Sequence, residues 1–291
     1  METQNALVIG IGYVGIRLVE KINSLGIKVF GLSRNEKSLE KLERYDAQKI
    51  YWDEKSVLDF NLVDNKINFI LSTVPPDSIG NDPVLNIFNK KLSQYKGWLG
   101  YISSTSVYGG ENNEIIDDNS ECSPKTTRGI TRLKIEKAWL NFGSEIFRVA
   151  GIYGYKRSPF EKLLDKKTYL IDKENHVFNR IHIDDLVEII IKSYTNPRPQ
   201  RIINISDGNP CNQIEFYREA CRISNSKMPK IYKINEIKMS DMQKSFWLSS
   251  KHIVSSILKN EFNYKFIHPD YKSGLKTIWK MKNYIFDELN L

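Results

Sequence analysis

Ala6-Leu7-Val8-Ile9-Gly10-Ile11-Gly12-Tyr13-Val14-Gly15 is the stretch whose reading decides the fold. Four apolar residues bounded at once by glycine are too short for a helix and read as a buried strand. From Tyr13 to Leu25 the apolar positions fall three and four apart, which predicts a helix. A strand that enters a helix through Gly-x-Gly-x-x-Gly is the setting in which a dinucleotide pyrophosphate is held. Gly10 permits the tight turn, Gly12 lets the backbone approach the phosphates, and Gly15 lets the helix pack close to the strand. The helix N-terminus, at Tyr13 and Val14, presents unpaired N–H groups and the positive end of a dipole.

The second strand bears on which dinucleotide is bound. It runs into Gly31-Leu32-Ser33-Arg34, and no acid follows until Glu36. An NAD site usually places a carboxylate here for the adenosine ribose. A guanidinium instead matches a 2′-phosphate through paired hydrogen bonds, so Ser33 and Arg34 favour NADP, with NAD the alternative.

Working along the chain, short β-branched runs alternate with helical patterns, as in an α/β protein with a parallel sheet. Strands are expected at Ala6–Ile9, Lys28–Leu32, Gln48–Tyr51, Ile67–Ser72, Trp98–Ser103, Glu145–Val149 and Ile202–Ile205. Helices are expected at Pro83–Tyr95 and Thr127–Phe142, with another beginning near Asp184. Asn196-Pro197-Arg198-Pro199 marks a turn. Beyond Asp207 the pattern is irregular, and Trp247, Phe262, Tyr264, Phe266, Tyr271 and Trp279 suggest a smaller lobe packed by aromatics.

A chain of 291 residues can bury a core without staples. Its three cysteines, Cys122, Cys211 and Cys221, have no paired short spacing, which argues against a disulfide framework or a zinc site, so no metal is expected. No basic segment precedes a cleavable apolar run and no apolar stretch reaches membrane-spanning length. The expectation is a cytoplasmic protein without a membrane partner. The net charge of +8 comes from scattered lysines that alternate with acids, as between Glu36 and Arg44, so an anionic small molecule is a simpler partner than nucleic acid.

Further motifs in order extend the pattern. Ser103-Ser104-Thr105-Ser106-Val107-Tyr108-Gly109 follows the fifth strand, Arg148 to Gly154 reads Arg-x-x-x-x-Tyr-Gly, and Arg180-Ile181-His182-Ile183-Asp184-Asp185-Leu186 and Asn204-Ile205-Ser206-Asp207-Gly208 come later. Together with the glycine fingerprint these resemble the extended short-chain dehydrogenases/reductases, the NAD-dependent epimerase/dehydratase family. The resemblance covers nearly the whole chain. It implies a Rossmann-type, doubly wound parallel sheet of about seven strands (1–154 plus 180–206) and a smaller substrate-binding lobe (155–179 plus 207–291). It also implies a small-molecule substrate of the nucleotide-sugar kind, and family members often form homodimers.

The family's acid/base is a Tyr followed four residues later by a Lys that lowers its pKa. Aligned through Glu136, those positions hold Arg128 and Arg132, and no tyrosine lies between Tyr108 and Tyr153. An arginine stays protonated and cannot act as a general base. Arg128 then becomes a candidate for binding an anionic substrate, as does Arg180, and Arg132 one for orienting the nicotinamide ribose. Ser104 matches the family's hydroxyl for the reacting oxygen, with Tyr108 the nearest alternative proton donor. Ser72, Thr73 and Val74 are placed to line the nicotinamide side, and His182 reads as an oriented, structural histidine. Two functions follow: an oxidoreductase or epimerase-like enzyme with an atypical site, or an NADP(H)-binding sensor or partner-binding protein without turnover.

Overall fold

The computed structural model of the protein describes residues 5–53, 60–110 and 113–289. Its strands are β1 (Asn5–Ile9), β2 (Val29–Ser33), β3 (Ala47–Tyr51), β4 (Ile67–Ser72), β5 (Trp98–Ser104), β6 (Glu114–Ile116), β7 (Glu145–Val149), β8 (Gly151–Tyr153), β9 (Tyr169–Asp172), β10 (Arg180–His182), β11 (Ile202–Ile205), β12 (Lys230–Lys233) and β13 (Lys251–Ile253). Seven of them form one parallel sheet in the order β11-β7-β5-β4-β1-β2-β3, the Rossmann-type architecture expected from the sequence. The order reverses beside β1: it pairs with β2 through Leu7 and Phe30 on one side and with β4 through Leu7 and Ile70 on the other.

Burial explains why these strands are readable. Every residue of β2 and β7 is buried, and β1, β4 and β5 each have a single half-buried position, so their sequences are mostly apolar and do not alternate, although β7 also buries Glu145 and Arg148, each in an ion pair. Edge strand β3 is exposed at Gln48, Lys49 and Tyr51, and Lys49 pairs with Glu43. Charge on an edge discourages pairing with another chain.

Helix α1 (Tyr13–Ser24) buries Val14, Gly15, Leu18, Val19 and Ile22, one stripe of its surface. Helix Pro83–Gln94 starts with proline at its first position, and Asp82 accepts from the N–H groups of Val84 (2.8 Å) and Leu85 (3.1 Å). Helix Thr127–Leu140 is capped by Thr126 and buries Ile135 and Trp139. It also buries Glu136, which takes a two-pronged ion pair from Arg148 at 2.8–3.2 Å. Removing one partner of such a pair costs about 3–5 kcal/mol, because the other charge is stranded.

By contacts the chain divides into two compact units. The first is Met1–Val107, Pro124–Arg148 and Val187–Ile203, and the second is Tyr108–Ser123, Val149–Leu186 and Asn204–Leu291. The division differs from the sequence expectation in placing 108–123, 149–154, 180–186 and 204–206 in the second unit. Short strand pairs account for this: β6 pairs with β13 and β8 with β10, both parallel. The region beyond Asp207, read as irregular, contains the helices Gln213–Ser224, Asp241–Trp247, Ser256–Asn260 and Tyr271–Leu289. The second unit has its own core of Tyr153, Phe160, Cys211, Phe216, Ala220, Leu275 and Ile278, against which Trp279 packs. Among the described residues no helix is long and apolar enough to cross a membrane.

In this second unit His176 is 2% exposed and packs against Phe178 and Trp247, with ring centroids 4.6 and 5.0 Å away. Burial, and secondarily the Lys173 charge, push its imidazole down to about 4 from the ordinary 6.5. Between those two values the unfolded chain takes up a proton that the native one refuses, so stability falls as pH drops through that window. The fall should approach about 3 kcal/mol at its acid end. Urea unfolding of His176→Leu over this range should show a flatter pH slope than the natural protein, and an unchanged slope would remove His176 as the cause.

Candidate cofactor site and active site

The turn after β1 is built by close approaches. Gly10 has φ +98°, and a Cβ there would sit 2.5 Å from Thr73 Oγ1. Thr73, just past β4, donates its N–H to Ile9 O and its hydroxyl to Gly10 O, each at 2.8 Å, which locks the two strand ends together. A Cβ at Gly15 would come within 2.1 Å of Gly10 O, so only glycine lets α1 lie this near the strand. At Gly12 an added Cβ would meet nothing within 4 Å. That position faces open space.

The open space is a cavity of about 270 Å³ within the first unit. Gly10, Ile11 and Gly12 form one wall, Ser33, Arg34, Asn35 and Ser38 another, and Trp52, Thr73, Val74 and Pro75 complete it. No side chain caps α1, and its first turn holds no acid, so the positive end of the helix is left uncompensated beside the cavity. A dinucleotide's phosphates fit these residues: a glycine backbone without Cβ atoms, amide donors and no competing carboxylate. Ser33 Oγ accepts from Asn35 N at 3.1 Å, and Asn35 Oδ1 accepts from Ser38 N at 3.2 Å, which shapes the wall that carries Arg34. Trp52, Asn35 and Ser38 were not singled out from the sequence. Trp52 directly follows the edge strand, and its N–H donates to Ser33 O at 2.9 Å, a position that carries no motif.

A second group of candidates gathers where β5 ends. Ser104 closes the strand and accepts from Ser106 N at 3.2 Å, within the short turn Thr105–Val107. Helix Thr127–Leu140 comes down on this turn so closely that a Cβ at Gly129 would lie 2.3 Å from Ser106 O. The residues flanking Gly129 are thereby carried to the serine turn.

Arg132 Nη1 donates to Tyr101 Oη (2.9 Å) and Ile102 O (3.1 Å). Tyr101 stacks on Trp139 at 5.2 Å, and Trp139 Nε1 donates to Asp82 Oδ2 at 2.7 Å. Burial raises the Tyr101 phenol above its usual range despite the Arg132 charge, so it stays protonated. The Arg128 guanidinium is pulled down, first by desolvation and then by Arg132 one turn away. Two cations at i,i+4 repel unless an anion joins them.

Two further sequence candidates lie in the second unit and have engagements of their own. Tyr108 is 2% exposed, and its hydroxyl contacts Asn204 Oδ1 (2.9 Å) and Asp117 O (3.1 Å). Arg180 is buried against the Phe216 ring at 4.1 Å and donates to Phe178 O and Cys211 O, each at 3.0 Å. These contacts give both side chains packing and polar partners inside the unit.

No family model and no curated protein sequence matches this chain. Solved structures do. A functionally unknown conserved protein of Silicibacter pomeroyi superposes with TM-score 0.86 at 27% identity, covering 95% of this chain and 98% of that one. dTDP-glucose 4,6-dehydratase of Bacillus anthracis, solved with NAD, superposes with TM-score 0.77 at 16% identity, covering 96% and 97%. UDP-glucose 4-epimerase of Thermotoga maritima, solved with UDP-glucose, superposes with TM-score 0.78 at 16% identity, covering 97% and 100%. The chain therefore has the Rossmann-type fold of nucleotide-sugar epimerases and dehydratases.

Gly12 offers a direct check on the cavity. Its backbone, φ −91° and ψ −155°, suits any residue, and nothing in the protein opposes a Cβ. Gly12→Ala should fold with an unchanged melting temperature yet bind NADPH at least tenfold more weakly by calorimetry. Undiminished binding would place the phosphates elsewhere.

Proposed function

We propose that this protein is an NADP-dependent oxidoreductase acting on an anionic, nucleotide-sugar-like substrate. The observation that carries this reading is the cavity that joins the uncapped end of α1 to a wall bearing Ser33 and Arg34 without a carboxylate. Amides at Gly12 to Gly15 take the pyrophosphate, and Ser33 and Arg34 take the 2′-phosphate by charge-assisted hydrogen bonds. When bound, the cofactor supplies a nicotinamide that accepts or returns a hydride. Ser72, Thr73 and Val74 wall its reactive end, with the Ser72 side chain buried there.

Ser104 donates a hydrogen bond to the reacting oxygen of the substrate. Arg128 and Arg132 remain charged and stabilise negative charge on the substrate without accepting a proton. The anion they meet is the substrate's own phosphate or the developing oxyanion. Tyr108 supports the loop wall through Asn204 and Asp117. With no tyrosine between Tyr108 and Tyr153, the proton is exchanged with solvent beside Ser104, leaving the substrate oxygen when hydride goes to the cofactor and arriving when hydride returns. That same absence favours a second reading, in which the chain binds NADP(H) as a sensor and turns nothing over.

Arg34→Ala should weaken NADPH by roughly 1.5–3 kcal/mol while barely changing NADH. Equal losses for both would overturn the assignment to the 2′-phosphate. Ser104→Ala should leave NADPH binding intact and lower NADPH oxidation at least a hundredfold on any nucleotide sugar or keto sugar that the natural protein turns over. Tight NADPH binding with no turnover of any such substrate would establish the sensor.

A further inference from the structure

Three side chains of the second unit converge on one another. His182 ends β10, Asp184 is in the first turn of the helix Ile183–Thr195, and His268 arrives from a loop 84 residues after Asp184. We propose that His182, Asp184 and His268 bind a divalent transition metal of the zinc type.

The distances select this reading. Asp184 Oδ2 lies 3.4 Å from His182 Nδ1 and 3.4 Å from His268 Nε2. A carboxylate pairing with a protonated imidazole would close to about 2.7–2.9 Å. Neither contact does. A tetrahedral metal with bonds of roughly 2.1 Å holds its ligands about 3.4 Å apart, which is the separation found on both sides of Asp184. One ligand atom from each of the three residues lies within 4.8 Å of the others.

Charge and burial agree with the distances. The two imidazoles are 3.8 Å apart between centroids and only 2% and 4% exposed, so both rings border one small buried space. A metal takes both rings neutral. The Asp184 side chain is 27% exposed, which leaves an entry path and a corner for water. Two imidazoles and one carboxylate suit zinc, cobalt or nickel, whereas magnesium and calcium require oxygen ligands throughout.

The surrounding contacts fix the ligands in place. Asp185 accepts from Ile267 N (2.7 Å), His268 N (3.0 Å) and Tyr264 Oη (2.9 Å), pinning the loop that carries His268. The Tyr153 ring meets His182 edge-on at 5.1 Å. Asp184 N reaches His182 Nδ1 at 3.3 Å, a long contact that coordination would replace. A bound metal would then staple the 264–270 loop, just ahead of the helix Tyr271–Leu289, to the end of β10.

The test uses full-length, tag-free protein stripped with chelator and titrated with cobalt(II). The expected result is one equivalent taken up with the visible absorption of a four- or five-coordinate site, displaced by zinc but not by magnesium, and a higher melting temperature with zinc. Asp184→Asn and His268→Gln should each weaken uptake roughly a hundredfold while NADPH binding stays unchanged. The wild-type spectrum decides the matter even if a variant misfolds: no stoichiometric cobalt band, or displacement by magnesium, overturns the proposal, as does equal uptake by two folded variants. NADPH binding is read separately, so failure of the metal site leaves the cofactor assignment standing.

Discussion

The first turn of α1 presses against the carbonyl of Gly10 so tightly that a single added carbon at Gly15 would intrude to 2.1 Å. That approach determines where the helix N-terminus points and how deep the turn after β1 lies. Thr73 then ties the end of β4 to the same carbonyl at 2.8 Å, so both neighbours of the open space are held by one backbone oxygen. The cavity walls have little freedom once this contact is made, and an anion finds amide donors already oriented. Binding then needs little rearrangement of the protein, which is how preorganisation raises affinity.

A second constraint governs the far end of β5. Asp82 caps one helix and accepts from Trp139 of another, Trp139 stacks on Tyr101, and Tyr101 accepts from Arg132. Burial raises the Asp82 carboxyl, while its hydrogen bonds from Trp139 and the Leu85 and Val84 amides pull the other way. Such a chain of satisfied polar groups inside an apolar layer orients Arg132 more firmly than packing alone would. It also helps hold the helix Thr127–Leu140 against the Ser104–Ser106 segment.

The central strands were legible because strands buried on both faces are mostly apolar and do not alternate, as in β1, β2, β4 and β5. The glycine turn was legible because its spacing encodes a backbone geometry. Much of the second unit was not. Its three-residue strands β6 and β13 pair across more than a hundred positions, and three residues carry no measurable period. Tyr271–Leu289 passed as irregular because lysines interrupt its face, although Leu275 and Ile278 are fully buried. Trp52 and His268 were silent for a related reason, since each gains its meaning from a neighbour distant in sequence. The cysteine spacing that argued against a metal says nothing about histidines brought together by folding.

Among the described residues, those that line the cavity beside α1 lie between Gly10 and Pro75. During synthesis that surface therefore leaves the ribosome before β5, the serine turn or either arginine of the later helix exists. Domains generally fold as they emerge, N-terminal portions first. A ligand held there would therefore act on β1–β4 while the remaining strands are still being made.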